Sequence, residues 1–155
     1  MRIVGVCRFA LIGRGDWQAY RDVSDDALES VYESAATELF APERLEARLR
    51  SFENLTLASM ARQTDKDFLF LVLSSDRMPE KYRSKLEELC AKVPHVVLRF
   101  YPPTDVGSAV IATCNDLNIN LSEFAQFRLD DDDAVGPGFV ADLRRIGTAT
   151  AALPE

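Results

Sequence analysis

Histidine is almost missing from this chain: His95 is the single one among 155 residues. That excludes a multi-histidine metal centre, and any histidine-based triad would have to be built on this one residue. His95 follows Pro94 where a strand should start, so it reads as structural rather than catalytic. Cysteine is scarce too. Cys7, Cys90 and Cys114 are odd in number, far apart and set among apolar residues, which excludes a disulfide frame or a zinc site. They fit reduced core positions of a cytoplasmic protein. No stretch approaches the ~20 apolar residues of a membrane span. Arg8 interrupts the first apolar run too early for a signal peptide. Positive charge is in deficit: the net charge of −7 argues against a nucleic-acid binder. Internal repeats are absent, and the one low-complexity tract is a run of aspartates. Arg14-Gly15-Asp16 spells an adhesion tripeptide and is read as coincidence.

What is present is ordinary in bulk and unusual in one place. The length suits one domain with a real core, and the apolar fraction of 47% is that of a soluble protein. The charge is uneven. Arg2, Arg8, Arg14 and Arg21 outnumber Asp16 and Asp22 in the first segment, and such a segment in an acidic protein could meet a phosphate. The unusual place is Asp130-Asp131-Asp132-Asp133, directly after the apolar stretch Phe124 to Leu129. That stretch reads as a buried strand, with the acids where it emerges. In extended backbone, alternate side chains share a face, about 7 Å apart. Asp130 and Asp132 would then point one way, and Asp131 and Asp133 the other. Carboxylates this close repel one another. A hard divalent cation removes the repulsion, so the run reads as a cation site more than as a solvated loop.

Strands and helices alternate along the chain. Strands are expected at Ile3 to Phe9, Phe68 to Leu73, Val96 to Phe100 and Phe124 to Leu129. The run Phe68 to Leu73 is unbroken in its apolar character and reads as buried on both faces. Ala10 to Val23 reads as a long loop. Ser24 can cap a short helix with Leu28, Val31, Tyr32 and Leu39 on one side. Pro42 opens a helix with Leu45, Leu49, Phe52 and Leu55 at helical spacing. Pro79 opens another, with Tyr82, Leu86, Leu89 and Val93, and Asp105 caps a third through Val106, Val110, Cys114 and Leu117. A last helix is expected from about Pro137 to Ile146. Alternation of this kind implies α/β architecture with a mostly parallel sheet covered on both faces. Right-handed crossovers then give the strand order 3-2-1-4. The switch point lies between strands one and four, so Arg8 and the aspartates converge there. A cation on the aspartates with an arginine opposite suits a diphosphate.

A strand ending in Leu-Asp-x-Asp-Asp, about fifteen residues after a helical asparagine (Asn115 here), resembles the nucleotide-sugar glycosyltransferases of the GT-A fold. The chain is similar, more narrowly, to the bacterial rhamnosyltransferase family. The likeness runs through Cys7-Arg8-Phe9, Arg44-Leu45-Glu46-Ala47-Arg48, Ser59 to Asp65 with Asp67-Phe68, and Gln126 to Val135 with Phe139-Val140. It implies a GT-A, Rossmann-like α/β/α fold and transfer of a sugar from a nucleotide-diphosphate donor to a glycan or small-molecule acceptor. It implies Mn²⁺ or Mg²⁺ as cofactor. By position, Asp130 would meet the ribose or approach the metal, Asp132 would coordinate the metal, and Asp133 would support it. Asp131 occupies the variable slot on the donor side. Arg8 and Phe9 would line the nucleotide end, and Asp76 could approach the base. A carboxylate would deprotonate the acceptor if the reaction inverts, but none can be assigned. Residues 1–155 would thus be the donor-binding part of such an enzyme, with the acceptor part expected in a longer protein.

Other readings compete. A non-catalytic α/β domain could bind a nucleotide or divalent metal without turning over sugar. A phosphotransfer domain would need acids from separate strand ends and a lysine, and no lysine follows Lys92. A prenyl-diphosphate enzyme carries Asp-rich motifs on helices, against the strand before Asp130.

Overall fold

The computed structural model describes residues 1–13 and 23–151. Most of the expected loop before Val23, with the Arg14-Gly15-Asp16 tripeptide, Arg21 and Asp22, lies outside these residues, as do the last four positions. Among the described residues four strands form one sheet: β1 Arg2–Phe9, β2 Leu69–Ser75, β3 Val96–Tyr101 and β4 Phe124–Arg128. The order is β3-β2-β1-β4 and every pairing is parallel. This is the α/β architecture and strand order expected, and it is consistent with a Rossmann-like GT-A fold. Strand β2 is flanked on both sides and buried almost throughout. The expected burial of β4 is not met. It is an outer strand of this sheet, with Gln126 and Arg128 exposed and only Leu129 beyond it buried.

The helices are α1 Leu28–Leu39, α2 Pro42–Ser51, α3 Ala58–Ala61, α4 Glu80–Ala91, α5 Val106–Asp116 and α6 Phe139–Ala151. Pro42 starts α2, where its fixed φ and missing N–H cost nothing. Asp105 caps α5 by accepting from the Ser108 N–H at 2.8 Å. Ser24 precedes a 3-10 turn, Asp25–Ala27, but its side chain makes no capping bond. A π-helical turn, Phe52–Leu57, joins α2 to α3. It also explains the one misplaced residue of the expected stripe. Leu45, Leu49 and Phe52 are buried, but Leu55 is 45% exposed and Thr56 and Leu57 are buried in its stead. A π turn takes more residues per turn, so the phase read with α spacing slips after Phe52.

The sheet separates two clusters. Ile3, Cys7, Phe9, Phe70 and Val72 face α1 to α4 and α6. Val4, Val6, Leu71 and Leu73 face α5. This division follows from handedness. Two crossovers moving from β1 out to β3 keep their helices on one face, and the return to β4 must cross the other. The three cysteines are buried and free, as expected of core fillers. Burial pushes the Cys90 thiol up to about 12. On α6, Arg144 donates to Asp65 at 2.6 Å and also reaches the carbonyls of Met1 and Asp67. It thereby ties the last helix to the start of β1 and the approach to β2.

Gly5 sits mid-strand in β1, opposite Phe70 on one side and Phe127 on the other. The two rings stack over it with centroids 6.2 Å apart. A Cβ on Gly5 would lie 2.4 Å from Phe127 and 2.7 Å from Phe70. No rotamer change of one ring relieves both contacts. Gly5→Ala should therefore destabilise the fold by about 1–3 kcal/mol. At about 2–4 °C per kcal/mol for this size, that is a clear drop in the thermal midpoint. Gly5→Val should drop it further.

Candidate functional site

The register of β1 and β4 decides what meets at the site. Val6 pairs with Arg128, and Leu129 donates its N–H to the Val6 carbonyl at 3.1 Å. Two residues beyond Val6 and Arg128 come Arg8 and Asp130. Both emerge at the carboxyl ends of adjacent parallel strands, where the winding reverses. Helix α2 supplies the opposite wall. Arg8, Arg44, Ala47, Arg48, Ser51, Asp130, Asp131 and Asp132 line one cleft of about 450 Å³. Arg8 and the first three acids of the run thus share a cleft.

The acids do not continue the strand. Asp133 donates its N–H to the Asp130 carbonyl at 3.2 Å, closing a turn. Asp130, Asp132 and Asp133 are exposed, whereas Asp131 is only 4% exposed. Strict alternation would have paired Asp131 with Asp133, and the turn is why it does not. The Arg48 guanidinium grips Asp131 with a fork, Nε to Oδ2 and Nη2 to Oδ1, both at 2.8 Å. It also lies over the Phe9 ring at 5.9 Å. Burial works against the Arg48 charge, but the hydrogen bond and charge of Asp131, with Asp132, outweigh it and hold its pKa above the ordinary value. Burial, then Asp131 and Asp130, push the Cys7 thiol well above its usual range, so it is no nucleophile.

The backbone of the turn is held by the π turn, and the residues just after α3 hold the segment that follows it. The Thr56 hydroxyl lies 3.1 Å from the Asp130 carbonyl and 2.8 Å from that of Asp133. Gln63 is 1% exposed. Its amide nitrogen donates to Ser59 and Gly136 carbonyls, and its oxygen accepts the Val140 N–H at 3.0 Å. Thr64 donates its N–H to the Pro137 carbonyl at 2.8 Å.

Not every residue expected at the site is in the cleft. Phe9 is fully buried and meets Phe52 edge-on at 5.3 Å, so its ring forms packing beneath Arg48 and not a cleft wall. Asp76 is exposed just after β2, at the same sheet end but outside the lining. Asp133 is likewise outside it. Asn115 lies on α5, which covers the other face, beside Ile111 and Asn118. The sequence by itself assigns no role to Arg44, Arg48 or Thr56. It does carry one signal: Arg44, Arg48 and Ser51 recur at helical spacing as a polar stripe beside the apolar one.

The chain matches, over residues 2–155, the model of a family described as putative rhamnosyl transferase. The chain belongs to that family. The comparison with curated proteins found no match. Membership accounts for a sugar-transfer assignment at the level of the family. None of the helices among the described residues is long and apolar enough to cross a membrane.

The family resemblance implies a cation, and the donor set can be tested against it. Among the described residues no group of three or more carboxylate, thiol or imidazole side chains could hold a metal ion. Asp131 is committed to Arg48. Asp130 and Asp132 are both exposed and line the same cleft. Such a pair fits a cation completed by phosphate oxygens and water, which is how Mg²⁺ is usually held. It is not a closed protein cage.

Two expectations follow, one for the ion pair at the site and one for His95 at the opposite end of the sheet, just before β3. Arg48→Ala leaves the Asp131 carboxylate buried without its partner and should cost about 3 kcal/mol in urea unfolding. The double change Arg48→Met with Asp131→Leu should recover much of that loss. His95 packs on Phe68 at 4.3 Å and its Nε2 lies 3.2 Å from the Met60 carbonyl oxygen. Burial lowers its pKa below 6.5, against the pull of that carbonyl. An unfolded histidine takes up its proton below that value while the folded one resists. Stability should therefore fall as pH drops through about 6.5 and below, and His95→Gln should flatten that part of a melting-temperature profile.

Proposed function

We propose that this chain binds the nucleotide-diphosphate end of a sugar donor at the β1–β4 cleft and serves metal-dependent transfer of that sugar to a hydroxyl acceptor, with a rhamnosyl donor the candidate that the family description suggests. The observation that carries this reading is the convergence of Arg8 with Asp130 and Asp132 at the point where the sheet reverses. Acids alone would repel a diphosphate, and an arginine alone would not balance its charge. Arg8 and Arg44 bring guanidinium groups that suit phosphate oxygens. Asp132, with Asp130, would hold Mn²⁺ or Mg²⁺ between the protein and the diphosphate. Such a cation, when bound, neutralises charge on the departing phosphate oxygen.

The chemistry then asks little covalent work of the protein. The bond from the sugar's anomeric carbon to the phosphate oxygen breaks, and its electron pair leaves with the diphosphate. A new bond forms to the acceptor oxygen, whose proton passes to a base. Asp130 and Asp132 fix the donor end, and Arg8 and Arg44 complement the negative charge that builds up there. Holding the reacting atoms in line supplies much of the rate. Asp76 and Asp133 stand at the rim of this sheet end and are assigned the donor base and metal support only as extensions of the same proposal.

The test is a thermal-shift panel of nucleoside diphosphates and nucleotide sugars, with and without Mn²⁺. A ligand at a hundredfold excess over its Kd stabilises by about 2.7 kcal/mol. That is several degrees here, at about 2–4 °C per kcal/mol. A shift that needs Mn²⁺, is lost in Asp132→Asn and is weakened in Arg8→Ala supports the reading. A shift that is indifferent to Mn²⁺ and survives Asp132→Asn removes the metal-bridged donor site.

A further inference from the structure

We propose that Thr56 and Arg48 are positioning residues: together they hold the Asp130–Asp133 turn so that Asp130 and Asp132 face the cleft while Asp131 is spent as the anchor. The inference rests on the donor-site reading above and adds to it the residues that set the site's geometry. Four adjacent carboxylates have no intrinsic reason to adopt one arrangement, because repulsion favours spreading. The fold imposes one. Thr56 is fully buried, and its hydroxyl reaches the carbonyls at both ends of the turn, Asp130 and Asp133. Arg48 takes both oxygens of the second acid. The one hydroxyl proton is shared between the two ends and Arg48 fixes one side chain, and the carboxylates left over are those of Asp130, Asp132 and Asp133.

The π-helical turn is what brings the two anchors to one side. Thr56 follows Arg48 by eight residues, which at 3.6 per turn would set it about 80° around the axis. There it would point toward the middle of the buried stripe. The turn Phe52–Leu57 advances each residue by less, so Thr56 lags back toward the Arg48 side. The same lag draws Leu57 into the core and carries Leu55 out to solvent. An exposed leucine beside a buried threonine is a poor exchange for packing alone. It makes sense if the hydroxyl is needed at the turn.

The experiment compares wild type with Thr56→Val, which keeps the shape and removes the hydroxyl, and Thr56→Ser, which keeps the hydroxyl. Two readouts are taken well below melting. One is native-state hydrogen exchange at the Asp133 amide, referenced to Leu71 in the sheet. The other is the Kd for Mn²⁺ with uridine or thymidine diphosphate. Thr56→Val should exchange at Asp133 about tenfold faster relative to Leu71 and bind about tenfold more weakly, while Thr56→Ser stays near wild type. If Thr56→Val lowers the melting temperature but leaves both readouts at wild-type values, Thr56 only supports the fold and the proposal is overturned. If wild type itself binds no Mn²⁺ and nucleoside diphosphate, the donor-site reading fails. The Asp133 exchange then decides alone whether Thr56 holds the turn.

Discussion

The Arg48–Asp131 ion pair is the contact on which the cleft depends. It joins a helix in the first third of the chain to the turn after the last strand, a separation of 83 positions. Burying a carboxylate is unfavourable unless its lone pairs are met. The guanidinium fork meets them with two short bonds, and the Phe9 ring supports its planar face. Because Asp131 is turned inward, its neighbours on either side in sequence are turned out. A buried pair of this kind contributes little net stability compared with an apolar replacement. Its return is geometric: it specifies which acids reach solvent and which wall they face.

That contact is possible only because β4 lies beside β1. The order β3-β2-β1-β4 sets two strands to one side and then reverses. The reversal leaves a gap above the sheet between two carboxyl ends, and α2 closes one wall of it. Gly5 keeps the two strands in register by leaving room for Phe70 and Phe127 over the middle of β1. A shift of β4 by one residue would turn Phe127 away from that space and bring Leu129 out of the core. It would also lift Asp131 off Arg48. Register, core packing and site geometry are one constraint here.

Much of this is legible in the sequence because it rests on short-range rules. Runs such as Phe68 to Leu73 mark strands by composition, Pro42 and Asp105 mark helix starts by mechanism, and alternation with handedness gives the sheet order. Arg8 and the aspartates can be assigned to one cleft from that order alone. What is not legible shares a cause: each case depends on a partner distant in sequence or a departure from ideal period. The family resemblance implies a place at the nucleotide end for Phe9, but strand alternation turns its ring into the core. Asp131 stands in the variable slot of the motif, and its partner Arg48 on α2 is out of reach of any local pattern. The acids read as extended, and a turn bonded from Asp133 to Asp130 replaces the two-residue repeat.

The π turn is the most informative of these departures. Local propensity and pattern favour an unbroken α-helix from Pro42 onward, with Leu55 at the edge of the apolar stripe. The structure gives that up and exposes Leu55, while Thr56 and Gln63 are buried among apolar neighbours. Each buried polar group is satisfied by the chain segment after β4 and not by its own helix alone. A conflict between local pattern and final structure is expected where function sets the geometry. Here the conflict, the buried polar atoms and the acidic turn coincide in space. Packing could have been met by a leucine in register, so what the irregular helix adds is one fixed donor, the Thr56 hydroxyl, aimed at the acidic turn. The loop that carries the acids is thus held through its carbonyls and through Asp131 by buried or half-buried side chains, while the carboxylates of Asp130, Asp132 and Asp133 stand in solvent.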